Sequence, residues 1–155
     1  MPVCLSFLSA LQGSERMGLS FEHPVDVRWR DVDALGHVNH AVFLTYLEEA
    51  RDAFFMKSLG SDPLYVVVRI EVDLRAEVRY PDRRVTVRIE VESLGTTSLT
   101  TRETILTRPE EVAAEARVVT VRWDADLRRP VPFSQAERTQ LGAATTSDPS
   151  GSTPA

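Results

Sequence analysis

Apolar and polar residues alternate along most of this chain, and such alternation is typical of β-strands buried on one face. In the first segment, residues 21–30, it places Val25, Val27 and Trp29 on one face and charged residues on the other. Four later segments alternate in the same way: Tyr65–Val78, Arg84–Glu92, Thr97–Thr107 and Glu111–Asp124. The pattern therefore predicts five strands, with hairpin and turn sequences between the later ones.

After the first predicted strand, the apolar residues change to a spacing of three and four, which predicts one helix over His40–Leu59. The apolar face of this helix contains the side chains of Phe43, Tyr46, Leu47, Ala50 and Phe54. Asn39 precedes the helix as a suitable N-cap. Gly60 follows it and can adopt the left-handed conformation that ends many helices. Both ends of the predicted helix are therefore marked in the sequence.

One long helix and five strands predict an α+β fold, in which the helix covers one face of a largely antiparallel sheet. We expect this domain to occupy residues 21–132, because prolines 130 and 132 end strand pairing. Residues 1–20 are expected to form a loose leader. Residues 133–155 end in small and polar residues without periodicity, so we expect a mostly disordered tail. A dimer through an edge strand or a sheet face fits this arrangement.

Composition narrows the class of protein. The chain has 155 residues, of which 43% are hydrophobic and 26% charged, as expected for one soluble globular domain. A net charge of -5 argues against a general nucleic-acid binder. Cys4 is the only cysteine, so no internal disulfide can form and a reducing, cytoplasmic compartment fits. No apolar run approaches the roughly 20 residues of a membrane span, and signal-peptide features are missing.

The segment between the first strand and the helix concentrates the reactive side chains. Residues 30–40 (RDVDALGHVNH) contain two carboxylates, a glycine, two histidines and an asparagine. The unpaired backbone N–H groups at the start of a helix can stabilise a developing negative charge. This loop is therefore the candidate active site.

The run from Arg28 to Arg51 resembles the opening of hotdog-fold acyl-CoA thioesterases of the 4-hydroxybenzoyl-CoA thioesterase type. The shared elements are an Asp-x-Asp-x-x-Gly pattern, a valine, a short polar stretch, an aromatic residue, then a glutamate and Ala-Arg on the helix. Residues 93–98 (SLGTTS) are similar to the hairpin between the third and fourth strands of that family. The resemblance covers about residues 21–132. It implies a hotdog fold, a homodimer or homotetramer, hydrolysis of an acyl-CoA or acyl-carrier-protein thioester, and no cofactor.

The resemblance also implies roles within the loop. It makes Asp33, the second carboxylate of the pair, the group that attacks the thioester carbonyl or activates a water. His40 and Asn39 are implied as helpers that orient the substrate or the water. The implied oxyanion site consists of backbone N–H groups at the start of the helix, in the segment from about His37 to Ala41, with Gly36, His37 and Val38 as the named candidates. A carboxylate beside such donors is what thioester hydrolysis requires.

Each of these residues also has a structural interpretation. Asp33 can cap a turn, Asp31 can hold the shape of the loop, and Asn39 can serve only as an N-cap. His37 and His40 could share a metal ion, but no third or fourth ligand is evident nearby, so no metal is predicted. A non-catalytic acyl-CoA binder, or a hydratase that uses His40, would also fit the same fold.

Four further residues are candidates for substrate binding: Glu48, Tyr46, Arg83 and Arg84. Glu48 matches the helix pattern of the family and is the alternative catalytic carboxylate, although it lies three residues from Arg51 and can pair with it. Tyr46 lies on the apolar helix face and could line an acyl tunnel. Arg83 and Arg84 could bind the phosphates of coenzyme A, or they could be solvated turn charges.

Overall fold

The structure, a computed structural model, describes residues 19–60 and 64–142. Its strands are β1 (Ser20–Asp26), β2 (Tyr65–Leu74), β3 (Arg84–Leu94), β4 (Ser98–Arg108), β5 (Glu111–Asp124) and β6 (Arg129–Pro130). Its helices are α1 (His40–Leu59) and α2 (Gln135–Gln140), and short 3₁₀ turns occur at Trp29–Asp31 and Tyr80–Asp82.

The strands form one antiparallel sheet in the order β1-β3-β4-β5-β2, and β6 pairs with β5. Helix α1 packs on the inner face of this sheet, mainly against β1 and β3. The predicted α+β architecture is therefore confirmed. Because β1 and β2 are the edges, β2 exposes backbone groups that have no neighbouring strand within the described residues.

The core lies between α1 and the inner face of the sheet, and it follows the hydrophobic pattern of the sequence. The apolar helix face is buried as predicted, at Phe43, Tyr46, Leu47, Ala50 and Phe54. The sheet contributes Val85, Val87 and Ile89 of β3, which are at most 1% exposed. Asn39 accepts a hydrogen bond from the Ala41 N–H at 2.9 Å, and Gly60 has a φ of 66°. The predicted helix ends are thus confirmed together with its face.

The first strand is shorter than the alternation predicts. It ends at Asp26, and the chain then turns through Trp29–Asp31, where the Asp31 carboxylate accepts the Arg28 N–H at 2.8 Å. The prediction that Trp29 shares an inner face with Val25 and Val27 is wrong, since Trp29 is 79% exposed. A side chain-to-backbone hydrogen bond has replaced strand pairing at this point.

The chain beyond residue 132 is also more ordered than predicted, as far as residue 142. Ser134 and Glu137 form a reciprocal capping box that starts α2, and Phe133 and Leu141 are buried in the core. The Ser-x-x-Glu spacing is a recognised helix-start signal, and here it starts a helix in a segment whose composition alone suggested disorder. The two residues Arg129–Pro130 form a short strand that pairs with β5, and this strand ends at the first of the two prolines expected to end pairing. Residues 1–18 and 143–155, which carry the rest of the predicted leader and tail, lie outside the described residues.

Candidate active site

The loop between the first 3₁₀ turn and α1 closes on itself through its backbone. Val32 and Val38 form an isolated antiparallel bridge, and the Asp33 N–H donates to the His37 carbonyl at 2.8 Å. Within this closure the Gly36 N–H donates to the Asp33 carbonyl at 3.1 Å. Gly36 has a φ of 83°, a region that glycine enters without a Cβ clash. The loop thus presents Asp33 on a tight, hydrogen-bonded turn.

The Asp33 carboxylate uses only one of its oxygens to hold this turn. Oδ1 accepts the Leu35 N–H at 2.9 Å and the His37 N–H at 3.4 Å. Oδ2 accepts no hydrogen bond from any residue in the described part of the chain. The side chain is half-buried. Asp33 therefore caps the turn with Oδ1, while its Oδ2 remains available to react.

Asp31 holds the base of the loop. It is 5% exposed, and its Oδ2 accepts hydrogen bonds from the Arg28 N–H and from the Tyr46 hydroxyl, each at 2.8 Å. Its backbone carbonyl accepts the Asn39 N–H at 2.9 Å, which ties the loop to the helix start. Burial and the hydrogen bond to Asp31 raise the pKa of Tyr46 above its usual value, so the phenol remains a donor. Asp31 thus has the shape-holding role that the sequence suggested.

The three amides predicted as the oxyanion site are used within the protein. The Gly36 N–H donates to Asp33 O, the His37 N–H to Asp33 Oδ1, and the Val38 N–H to Val78 O at 2.7 Å. The His40 N–H, one residue after the N-cap, has no acceptor among the described residues. The available donor at the helix start is therefore the His40 N–H, which lies inside the expected segment from about His37 to Ala41 but is not one of the three amides named there.

The two predicted helpers lie at the start of α1. The Asn39 side chain accepts the Ala41 N–H at 2.9 Å and so acts as the N-cap. His40 is the first residue of α1 and is exposed, and its imidazole forms no hydrogen bond with the described residues. A catalytic role for either residue stays a prediction.

His37 is held by a partner that the sequence analysis did not identify. Its Nε2 lies 2.7 Å from Glu77 Oε2, and the other carboxylate oxygen of Glu77 lies 2.6 Å from Arg79 Nη2. A backbone bridge between His37 and Arg79 runs alongside these contacts. Strand β2 ends at Leu74 rather than at the predicted Val78, which frees Glu77 and its neighbours to follow the loop. No spacing signal connects two residues so far apart in the sequence, so only the fold could show this pair.

Tyr46 and Glu48, the two helix residues predicted to bind substrate, lie in different environments. Tyr46 is fully buried, and its hydroxyl is bound to Asp31, so it supports the loop from below. The predicted pairing of Glu48 with Arg51 is wrong. Glu48 is exposed, whereas Arg51 points inward and forms a bidentate pair with Glu103 of β4, with both contacts at 2.9 Å.

Arg83 and Arg84 remain exposed but already have partners. Arg83 stacks on the Tyr80 ring, with its guanidinium carbon 4.5 Å from the ring centroid, and also donates to the Tyr80 hydroxyl at 2.8 Å. Arg84 pairs with Asp26 across β1 and β3 at 2.7 Å. Their proposed contact with the phosphates of coenzyme A stays a prediction.

Residues 19–60 and 64–142 contain no group of three or more His, Cys, Asp or Glu side chains that could hold a metal ion. Neither helix in those segments has the length and apolar composition needed to cross a membrane.

Comparison with known proteins identifies relatives of the whole domain. The family model of the thioesterase-like superfamily matches residues 27–141. This match begins just before the candidate loop and extends through α2. A search of curated proteins finds no match to the chain.

Solved structures agree with the family match. A predicted thioesterase from Bacillus stearothermophilus is 30% identical, with a TM-score of 0.73, over 80% of this chain and 95% of that one. A thioesterase from Thermus thermophilus, solved with coenzyme A and Zn, is 34% identical, with a TM-score of 0.65, over 79% and 97%. A 1,4-dihydroxy-2-naphthoyl-CoA thioesterase from Synechocystis has a TM-score of 0.68 over 81% and 97%, and at 19% identity it shows the fold alone. The predicted hotdog fold is therefore confirmed.

Proposed function

Because the chain belongs to the thioesterase-like superfamily, we propose that it is an acyl-CoA thioesterase that hydrolyses a thioester to a free acid and coenzyme A. The coenzyme A in the Thermus thermophilus relative supports this substrate class. The observation that carries the proposal is the Asp33 carboxylate, which is held in the loop by Oδ1 while Oδ2 is left without a partner among the described residues. Such an oxygen can take part in the reaction without breaking the turn that positions it.

Asp33 can act on a thioester in two ways. As a nucleophile, Oδ2 attacks the carbonyl carbon, the coenzyme A thiolate leaves, and water then hydrolyses the resulting anhydride. As a general base, Oδ2 takes a proton from a water molecule while that water attacks the same carbon. In both routes the carbonyl oxygen becomes negatively charged. The proposal includes both, because the loop geometry suits either.

The start of α1 supplies a donor for that oxygen. The His40 N–H has no acceptor among the described residues, and it lies at the positive end of a twenty-residue helix. A fixed backbone donor placed where charge develops costs no reorganisation during the reaction. We therefore assign the oxyanion site to the His40 N–H, with the Asn39 cap keeping the first turn in place.

Strand β2 supports a homo-oligomer. It is an edge strand, and its apolar side chains are partly open, with Val68 57%, Ile70 39% and Leu74 51% exposed. Ile70 is paired in register with the fully buried Val118, so it faces the inner side of the sheet, and it is nevertheless 39% exposed. We propose that a second copy of the chain covers this edge.

An Ile70→Lys variant is expected to dissociate the oligomer, because it places a charge in the apolar part of the proposed interface. Sedimentation velocity should show the wild-type chain as a dimer or tetramer and the variant as a monomer. A Ser20→Lys variant adds the same charge to the opposite edge strand and should keep the wild-type state. A wild-type monomer, or an Ile70→Lys variant that remains associated, would contradict the proposed interface.

A panel of aromatic, short-chain and long-chain acyl-CoAs tests the proposed reaction directly. Release of free coenzyme A is followed with a thiol-detecting reagent, and at least one substrate class is expected to be hydrolysed at a kcat/KM of about 10⁴ M⁻¹s⁻¹ or more, as is usual for enzymes. Tight binding of acyl-CoA without thiol release would overturn the proposal in favour of a binding protein. Addition of water to an enoyl-CoA without thiol release would overturn it in favour of a hydratase.

A further inference from the structure

We propose that Glu77 is a positioning residue for Asp33 and acts through His37. This inference rests on the proposed thioesterase function of Asp33. It concerns the segment that follows β2, which lies far beyond the loop in the sequence. Glu77 does not touch Asp33. Its effect on the Asp33 carboxylate passes through the contact between the Glu77 and His37 side chains and through two hydrogen bonds between the His37 backbone and Asp33.

The first step of the connection is the backbone of His37. The His37 carbonyl accepts the Asp33 N–H at 2.8 Å, and the His37 N–H donates to Asp33 Oδ1 at 3.4 Å. Both ends of Asp33, its amide and its carboxylate, therefore contact the backbone of His37, and the Leu35 N–H adds a second bond to Oδ1 at 2.9 Å. A displacement of His37 would therefore also move Asp33 Oδ2, the oxygen that reacts in the proposed mechanism.

The second step is the side chain of His37. Its Nε2 is 2.7 Å from Glu77 Oε2, and Arg79 Nη2 is 2.6 Å from Glu77 Oε1. The positive charge of Arg79 keeps Glu77 oriented as an acceptor. The imidazole can donate through Nε2–H whether it is neutral or protonated, so the contact exists in both states.

The third step is the anchorage of this segment. The Val38 N–H donates to Val78 O at 2.7 Å, and His37 and Arg79 form a backbone bridge. These contacts hold the C-terminal side of the loop, and Gly36, with a φ of 83°, lies directly before it. The Glu77–His37 contact adds a side-chain restraint to this anchored backbone. It therefore limits the motion that would displace Asp33.

The chemistry predicts a loss in turnover more than in binding. Small misplacements of a reacting group can reduce rates by about a hundredfold without removing any group that binds substrate. Glu77 is half-exposed, with 46% of its side chain open, so its removal leaves no buried charge. We therefore expect a selective effect on kcat.

The test compares Glu77→Ala, Glu77→Gln, His37→Ala and the Glu77→Ala/His37→Ala double variant in the thiol-release assay. Glu77→Ala and His37→Ala should each lower kcat by about 10- to 100-fold, with KM within about twofold of wild type. Glu77→Gln keeps an oxygen acceptor and should recover most of the loss. The double variant should lose no more than either single variant, because both remove one contact. Glu22→Ala is the matched control, because Glu22 is an exposed glutamate of edge strand β1 that pairs with Arg88 of β3. This variant should keep the wild-type kcat.

The outcomes separate the two proposals. If wild type is active and Asp33→Asn is inactive, an unchanged kcat in Glu77→Ala, or additive losses in the double variant, overturns the positioning role alone. If wild type releases no thiol from any acyl-CoA, the proposed function fails and the positioning role falls with it. Thermal unfolding of each variant identifies any loss due to misfolding. Should Glu77→Ala fail to fold, His37→Ala removes the same contact from the other side, and its kcat then decides.

Discussion

Replacing Asp33 with asparagine is expected to lower kcat/KM for acyl-CoA hydrolysis by about a thousandfold or more. Asparagine keeps an Oδ1 that can accept the Leu35 and His37 N–H groups, so the turn remains intact. It replaces the free Oδ2 with an amide nitrogen, which can neither attack a carbonyl nor accept a proton from water. The loss should therefore fall on chemistry, with the melting temperature close to that of wild type. Steady-state kinetics and thermal unfolding check the two parts.

Asp124 provides a matched control for this variant. Its Oδ1 accepts the Asp126 and Leu127 N–H groups at 3.0 and 2.8 Å, which is the same kind of turn at the end of β5. Asp124→Asn should leave kcat/KM unchanged. Near wild-type turnover in Asp33→Asn would exclude Asp33 as nucleophile or base, and Glu48 would then be the next carboxylate to replace.

Replacing Glu103 with leucine is expected to destabilise the fold by about 3–5 kcal/mol. Glu103 is fully buried, and its carboxylate accepts both hydrogen bonds from Arg51, which is 2% exposed. Burial lowers the pKa of Arg51, but the hydrogen bonds and charge of Glu103 outweigh it, so the pKa lies above its usual value. Without Glu103, that guanidinium would remain buried with no compensating charge. The melting temperature should fall by about 10 °C, measured at equal protein concentration.

Two further variants distinguish an unpaired buried charge from a general loss of packing. An Arg51→Met/Glu103→Leu double variant removes both charges and should recover most of the lost stability, because well-packed apolar side chains can replace a buried ion pair. Arg88→Met breaks the exposed pair with Glu22 and should cost less than about 1 kcal/mol. A double variant no more stable than Glu103→Leu would show that lost packing, and not the unpaired charge of Arg51, causes the destabilisation.

The candidate site could be predicted where its parts lie close together in the sequence. Asp33, Gly36, Asn39 and His40 fall within eight residues, and local turn and capping chemistry arranges them. Glu77 could not be found in this way, because its contact with His37 depends on where β2 ends. The oxyanion amides could not be assigned either, since the use of the Val38 N–H by Val78 depends on a distant segment.

By itself, the sequence determined the long helix and its buried face and the approximate course of the main strands, but it missed α2 and misplaced Trp29. The period of α1, its Asn39 cap and its Gly60 stop are local properties, because each depends on residues within a few turns. The alternation in β3 likewise showed its buried face. Only the tertiary structure decided how partners meet across the fold, as in the Arg51–Glu103 pair and the Glu77–His37 contact. The physical reason is that charges and hydrogen-bond donors pair by proximity in space, and no residue spacing encodes which distant strand lies beneath a helix.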